Sequence, residues 1–365
     1  MRLTAFTKYG RMAASTRQRL LQYAPALETQ GVELDFRPLL DDEYVRSLAT
    51  GRRYPRTNIA AAYLRRMGEI AVKPLGDAVF VYGELLPWLP SSLERILQLR
   101  GRPMIYDIDD AFFHTYDRHR NPFVRSILGS KFEPLLRAAT ACICGNPYVR
   151  DYVSQYCDST FVIPTVVDTD KYTPTRNDHE FPPVIGWIGS PTTWPYVRPL
   201  LPLLNDLVRG GRARVKVVGA GAAAAADSFP GLELIDWSEE CEIDEIRSFD
   251  VGIMPVPDDD WAHGKSGYKL IQYMACGLPV LASPIGVNSD IVGHGESGYL
   301  AATTDEWRVG LERLIGNADL RSALGSRGRA RAVAHYSLAT YAPRLVDIVV
   351  KAANASSEAT TRRLP

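Results

Sequence analysis

The chain carries no net charge: its 42 lysines and arginines are matched by 42 aspartates and glutamates. That balance argues against a dedicated nucleic-acid binder, which needs an excess of basic side chains to meet phosphates. Long apolar runs are also missing. The longest are strand-sized, too short for a transmembrane helix. The first residues, Met1-Arg2-Leu3-Thr4-Ala5-Phe6, lack the apolar length of a signal peptide and read as a strand. Cysteine is scarce. The five, Cys142, Cys144, Cys157, Cys241 and Cys276, are odd in number and follow no framework spacing. Reduced thiols and a cytoplasmic setting are therefore expected. Cys142 and Cys144 alternate on a strand-like segment, and a half-buried strand accounts for them more simply than a metal pair. What remains is an ordinary globular composition, 46% hydrophobic and 23% charged over 365 residues, enough for about two domains.

Strand-like and helix-like patterns alternate along the whole chain. In the first half Leu3–Phe6, Val32–Phe36, Ala78–Tyr82, Met104–Ile108, Ala141–Cys144 and Phe161–Ile163 read as strands. Ser15–Gln30 reads as one helix, capped by Ser15 or Thr16 and ended by Gly31. A second helix falls near Leu93–Leu99. Pro164–Pro183 holds four prolines and reads as an interdomain linker. Beyond it Val184–Ile188, Val215–Val218, Leu232–Ile235, Val251–Met254 and Val280–Ala282 read as strands. Thr304–Ile315, Leu320–Tyr336 and Leu338–Ala352 read as helices. Such alternation predicts an α/β protein whose parallel sheets are covered on both faces. Residues 353–365 are polar, without periodicity, and are expected to be a disordered tail.

The segment Gly264-Lys265-Ser266-Gly267-Tyr268-Lys269 reads as a glycine-flanked loop that opens a helix. A helix N-terminus presents free N–H groups and partial positive charge, and so attracts anions such as phosphate. Lys265 and Lys269 add two ammonium groups there. The helix continues to Met274-Ala275, is ended by Cys276-Gly277, and is followed by Leu278-Pro279 and the strand Val280-Leu281-Ala282.

Tyr273-Met274-Ala275-Cys276-Gly277-Leu278-Pro279-Val280 resembles the donor-binding helix of family 4 glycosyltransferases. Their pattern there is two glutamates with seven residues between them, then Ala-Met-Ala-Cys-Gly-x-Pro-Val. In this chain Gly264 and Gln272 stand at the glutamate positions. Val162-Ile163-Pro164-Thr165-Val166-Val167-Asp168 is similar to the family's linker. The resemblance is strong from Ala141 to Tyr336 and weaker before. It implies the GT-B fold, two Rossmann-like domains facing a central cleft. An acceptor-binding domain is expected over 1–175 and a nucleotide-sugar donor domain over 176–336, with a helix over 337–352 crossing back to the first. The implied activity is retaining transfer from a nucleoside diphosphate-sugar to a glycan or lipid-linked acceptor in polysaccharide or glycolipid synthesis, without cofactor or metal. A non-catalytic nucleotide- or sugar-binding partner is the alternative.

Within that frame the candidate donor residues are Gly189, Ser190, Trp237, Lys265, Ser266, Gly267, Tyr268, Lys269 and Gln272. Gly189 and Ser190 follow a strand and let backbone amides approach an anion. Gln272 can hydrogen-bond a ribose, or cap a helix face. Trp237 can stack on a base, or pack. In the first domain Gly10, Ser15, Arg17 and Arg19 lie in a loop after strand one, a position that in relatives faces donor phosphate and acceptor. Asp109 and Asp110 close the Asp-x-Asp segment after Met104–Ile108, where relatives reach toward the transferred sugar. A carboxylate there can orient a hydroxyl or steady positive charge at the anomeric carbon. Asp109, Lys265 and Arg17 are the expected catalytic residues, and turn-capping or surface charge is the competing account of each. Glu84, His114 and His263 are weaker cleft candidates. Gly219-Ala220-Gly221 passes as a dinucleotide fingerprint, but it follows the second strand of its domain rather than the first. A run of arginines, Arg46, Arg52, Arg53, Arg56, Arg65 and Arg66, interleaved with tyrosines, offers a peripheral contact with an anionic inner membrane face or is a solvated basic surface.

Overall fold

The computed structural model describes residues 1–175 and 181–361. Among these residues twelve strands are arranged in two sheets of six. The first uses β1 (Arg2–Tyr9), β2 (Glu33–Leu40), β3 (Ala78–Tyr82), β4 (Met104–Ile108), β5 (Ala141–Cys144) and β6 (Thr160–Val162). The second uses β7 (Val184–Ile188), β8 (Arg214–Val218), β9 (Leu232–Ile235), β10 (Val251–Met254), β11 (Val280–Ala282) and β12 (Gly298–Leu300). Strand order is β2-β1-β3-β4-β5-β6 in one and β12-β11-β10-β7-β8-β9 in the other, parallel throughout. In each sheet the order reverses beside the first strand, and ligands of such sheets bind outside the carboxyl ends of the strands at that point.

Burial explains the sequence pattern. Every residue of β3, β4, β5 and β7 is buried, as expected of parallel strands covered on both faces. Val79, Val81, Tyr106, Ile108, Cys142 and Cys144 join the core on one face of the first sheet. Their neighbours Ala78, Phe80, Ile105, Ala141 and Ile143 join the core on the other. Cys142 and Cys144 are thus wholly buried rather than half-buried. The last helix packs Leu345, Val349 and Ala352 into that second core, together with Leu3 and Phe80 of the first domain.

The structure differs from the sequence reading in several places. Ser15–Gln30 is not one helix: Ala14–Arg19, a 3-10 turn at Leu21–Tyr23 and Ala24–Thr29 follow in series, with Pro25 at the start of the last. Proline has no N–H and fits only a helix's first turn, so the run restarts there. Two helices, Asp42–Ala49 and Arg56–Ala71, occupy a stretch without a sequence assignment. The last helix continues to Thr361 instead of ending at Ala352; of the expected tail, residues 362–365 lie outside the described residues. Finally, the arginine run is not one free surface. Arg66 is fully buried, donating to the carbonyls of Thr7, Arg37 and Leu85, whereas Arg52, Arg53 and Arg56 are exposed. Among the described residues no helix is long and apolar enough to cross a membrane.

Candidate active site

A cavity of about 230 Å³ lies between the domains, at the carboxyl ends of both sheets. Ser15, Gln18, Asp109, Asp110 and Thr165 line it from the first domain; Thr193, Met254 and Lys265 to Lys269 line it from the second. Its floor is the start of the helix Tyr268–Ala275. Gly267 there adopts φ +65°, a left-handed conformation that glycine takes freely, and no side chain caps the helix. The uncapped first turn therefore offers its N–H groups to the cavity.

The two lysines define the electrostatics. Lys265 Nζ sits 5.6 Å from the Trp261 ring centre and 5.8 Å from that of Tyr196; Lys269 Nζ sits 5.6 Å from that of Trp187. Neither ammonium forms an ion pair or hydrogen bond among the described residues. Burial pushes the pKa of Lys269 down to about 8, and the charge of Lys265 adds to the fall. Gly189, just after β7, makes room for this arrangement: a Cβ there would lie 2.9 Å from Lys269 Cε and 2.4 Å from the Trp187 ring. Ser190 is exposed and shares hydrogen bonds with Thr192 and Thr193 rather than lining the cavity.

Opposite stand the carboxyls. Asp109 is buried and accepts the Tyr82 hydroxyl at 2.9 Å. Burial, then the neighbouring Asp110 charge, raise its pKa to about 7 against the pull of Arg19. Asp110 accepts the backbone N–H of Ser266 at 3.1 Å across the cleft. Further contacts join the domains around the cavity: Gln18 Nε2 donates to the Tyr268 hydroxyl at 2.7 Å, and Asn146 Nδ2 to the Gly264 carbonyl at 2.8 Å. Gln18, Thr193 and Asn146 were not read from the sequence, because ordinary polar residues gain meaning here only from their partners in the other half.

Other candidates lie elsewhere. Arg19 is fully buried, its guanidinium 2.7 Å from Asp107 and donating to the Ile163 carbonyl, so it holds the first domain together instead of facing the cleft. This pairing also removes Asp107 from any Asp-x-Asp site. Gly10 is buried against Asp42, where a Cβ would meet Oδ1 at 2.3 Å. Arg17 is outside the cavity lining. It donates to the carbonyls of Arg11 and Met12, lies 4.8 Å over the Trp237 ring, and approaches Glu242 at 3.7 Å. Trp237 Nε1 donates to Glu242 at 2.6 Å. Gln272 is buried and donates to Glu242 at 2.9 Å and to the Tyr172 hydroxyl at 3.2 Å, an interior network rather than an open ribose contact. Glu84 is buried between Lys8 and Lys131, 3.5 Å from each. His114 bonds Asp117 and Tyr148, and His263 bonds Asp258. Gly219 and Gly221 are explained by close packing: a Cβ would meet the Gly189 carbonyl at 2.4 Å in one case and that of Ala49 at 2.7 Å in the other.

Residues 182–317 match the family model for glycosyl transferases group 1. The likeness to group 1 glycosyltransferases covers that stretch alone. No curated protein matches the chain in sequence. Among solved structures, sucrose-phosphate synthase from Thermosynechococcus elongatus is similar at TM-score 0.71 and 14% identity, covering 97% of this chain and 100% of that one. Anabaena HepE in complex with UDP-glucose is similar at TM-score 0.68 and 12% identity, covering 96% and 99%. The α,α-trehalose 6-phosphate synthase of Burkholderia multivorans is similar at TM-score 0.65 and 14% identity, covering 97% and 99%. At these identities the likeness establishes the architecture, and the architecture is GT-B over the full described length.

Proposed function

We propose that this protein is a family 4 glycosyltransferase that holds a nucleoside diphosphate-sugar at Lys265, Lys269 and the first turn of Tyr268–Ala275. It passes the sugar, with retention, to a glycan or lipid-linked acceptor presented by the first domain, in surface polysaccharide or glycolipid synthesis. The observation that carries this reading is the pair of lysines at an uncapped helix start, neither of them in an ion pair among the described residues. Two cations left together in a cleft are stabilised by an anion with more than one charge, and a diphosphate fits. The HepE structure, whose complex contains UDP-glucose, shares this architecture.

The chemistry follows from the placement of groups. As the glycosidic bond breaks, negative charge grows on the departing diphosphate, and the ammoniums and helix N–H groups are already aimed at it. Asp109 faces them across the cavity with a pKa near 7, able to orient a hydroxyl or to oppose charge at the anomeric carbon. The acceptor's proton goes to the departing phosphate, on the same face as attack. The exposed Arg52, Arg53 and Arg56 are the surface assigned to an anionic membrane at the cytoplasmic side.

The test is release of nucleoside diphosphate from UDP-, GDP-, ADP- and dTDP-sugars by the purified protein. Turnover of one donor, lost in Lys265→Ala, is the expected result. Donor binding without any turnover would instead favour a non-catalytic partner, the reading to which Gly264 and the buried Gln272 lend weight.

A further inference from the structure

The first sheet has its own reversal point, between β1 and β3, where a ligand crevice is expected outside the strand ends. The segment leaving β3 there is Gly83-Glu84-Leu85-Leu86-Pro87-Trp88. Among the described residues Trp88 is the one non-glycine residue with positive φ, +61°. A bulky side chain in that conformation is strained, and such strain persists where surrounding structure imposes it, often at ligand sites. Burial is not what Trp88 gains in return, for it is 51% exposed.

Its surroundings hold it in place. The Trp88 N–H donates to the Tyr116 hydroxyl at 2.9 Å, and that hydroxyl donates to Glu84. Lys131, fully buried, stands 3.5 Å from Glu84 and 3.1 Å from Glu94, and donates to the Leu86 carbonyl at 2.6 Å. A buried charged network thus clamps the segment on either side of Pro87. The indole rests edge-to-face on Tyr116, 5.3 Å away, and on His119, 5.7 Å away. The residue before His119 is Arg118, which reaches Asp260 of the second domain at 3.1 Å. The indole thus lies at the carboxyl-end side of the first sheet, one residue along the chain from a contact between the two domains.

We infer that Trp88 is a stacking platform for a pyranose ring of the acceptor, an assignment that rests on the transferase reading. A pyranose has an apolar C–H face and a polar edge. An exposed indole beside an imidazole offers a flat apolar surface and a hydrogen-bonding group in the same order. The His119 Nδ1 already accepts the Asn121 N–H at 3.1 Å, so its Nε2 is the ring nitrogen left for a sugar hydroxyl, which an acyl chain could not supply.

The test uses the full chain and saturation-transfer NMR with maltose, cellobiose and chitobiose, and with UDP as a separate arm. Trp88→Gly removes the platform and relieves the strain, since glycine adopts this φ freely, while giving up the contacts with Tyr116 and His119; its melting curve is recorded to show that the variant is folded. At least a tenfold loss of affinity for a disaccharide bound by the native protein is expected, with UDP contacts unchanged and Trp88→Phe retaining partial binding. Equal sugar binding in Trp88→Gly, or no disaccharide binding to the native protein, would overturn the inference. So would sedimentation with phosphatidylglycerol vesicles that Trp88→Gly abolishes, which would give the indole to a bilayer. Absence of UDP contacts in the native protein would sink the transferase reading separately and leave the sugar arm readable.

Discussion

The Asp110 carboxylate accepts the Ser266 N–H at 3.1 Å, joining the end of the first sheet to the loop that carries Lys265. The same charge acts on Asp109 beside it, where it is second only to burial in raising the pKa to about 7. Asp110→Asn keeps an oxygen for Ser266 and removes the charge. Carboxyl-carbon NMR should then show Asp109 titrating below 7, with the domain contact intact. An unmoved titration would mean that burial alone sets the value.

Asp109 also makes stability depend on pH. The folded protein keeps its proton up to about pH 7, whereas the unfolded chain releases it near 3.8. Between these values the folded state binds more protons, so this group's contribution to stability falls as pH rises. Asp109→Asn stays neutral. It should raise the melting temperature at pH 8 and change it little at pH 4. A gain of equal size at both pH values would contradict this sign.

Lys269 titrates in the opposite sense. Its ammonium is lost through about pH 8 in the empty site, and a bound diphosphate should restore it. Nucleotide affinity is therefore expected to weaken as pH rises past 8, by up to about tenfold per pH unit, with proton uptake on binding. Calorimetry in buffers of different ionisation enthalpy reads that uptake. Lys269→Ala should abolish it, and uptake that survives the substitution would assign the proton elsewhere.

Arg19 and Asp107 are both fully buried and paired at 2.7 Å. Arg19→Met leaves the Asp107 carboxylate without its partner and should cost about 3–5 kcal/mol of stability. Chemical denaturation measures this. The variant that remains folded should still bind nucleotide with native affinity; a selective loss of binding would return Arg19 to the cleft.

The sheets were legible because parallel strands buried on both faces are short apolar runs, and β3, β4, β5, β7, β10 and β11 coincide with the segments read from sequence. β12 escaped because Gly298-Tyr299-Leu300 is brief and has no period of its own. Lys265 to Lys269 were legible because the loop, its cations and the helix they open are contiguous. Arg17 and Arg19 were not separable, because the carboxylate that buries Arg19 lies on β4, far along the chain. Gly264 has a physical reason as well: a Cβ there would lie 2.3 Å from the Ala111 Cβ of the other domain, so the glutamate of the family pattern has no room in this arrangement. Trp88 gave no signal at all, since neither its left-handed backbone nor its exposure follows from composition or period.

The most direct test of the donor site is thermal stabilisation by UDP, dTDP, GDP, ADP, CMP and NAD, with and without magnesium, in the native protein and in the Lys265→Ala, Lys269→Ala double variant. A ligand that binds only the folded state raises its apparent stability. A shift with one nucleoside diphosphate, independent of magnesium and lost in the double variant, is predicted. No shift with any diphosphate, a shift with NAD alone, or a shift undiminished in the variant would contradict the account.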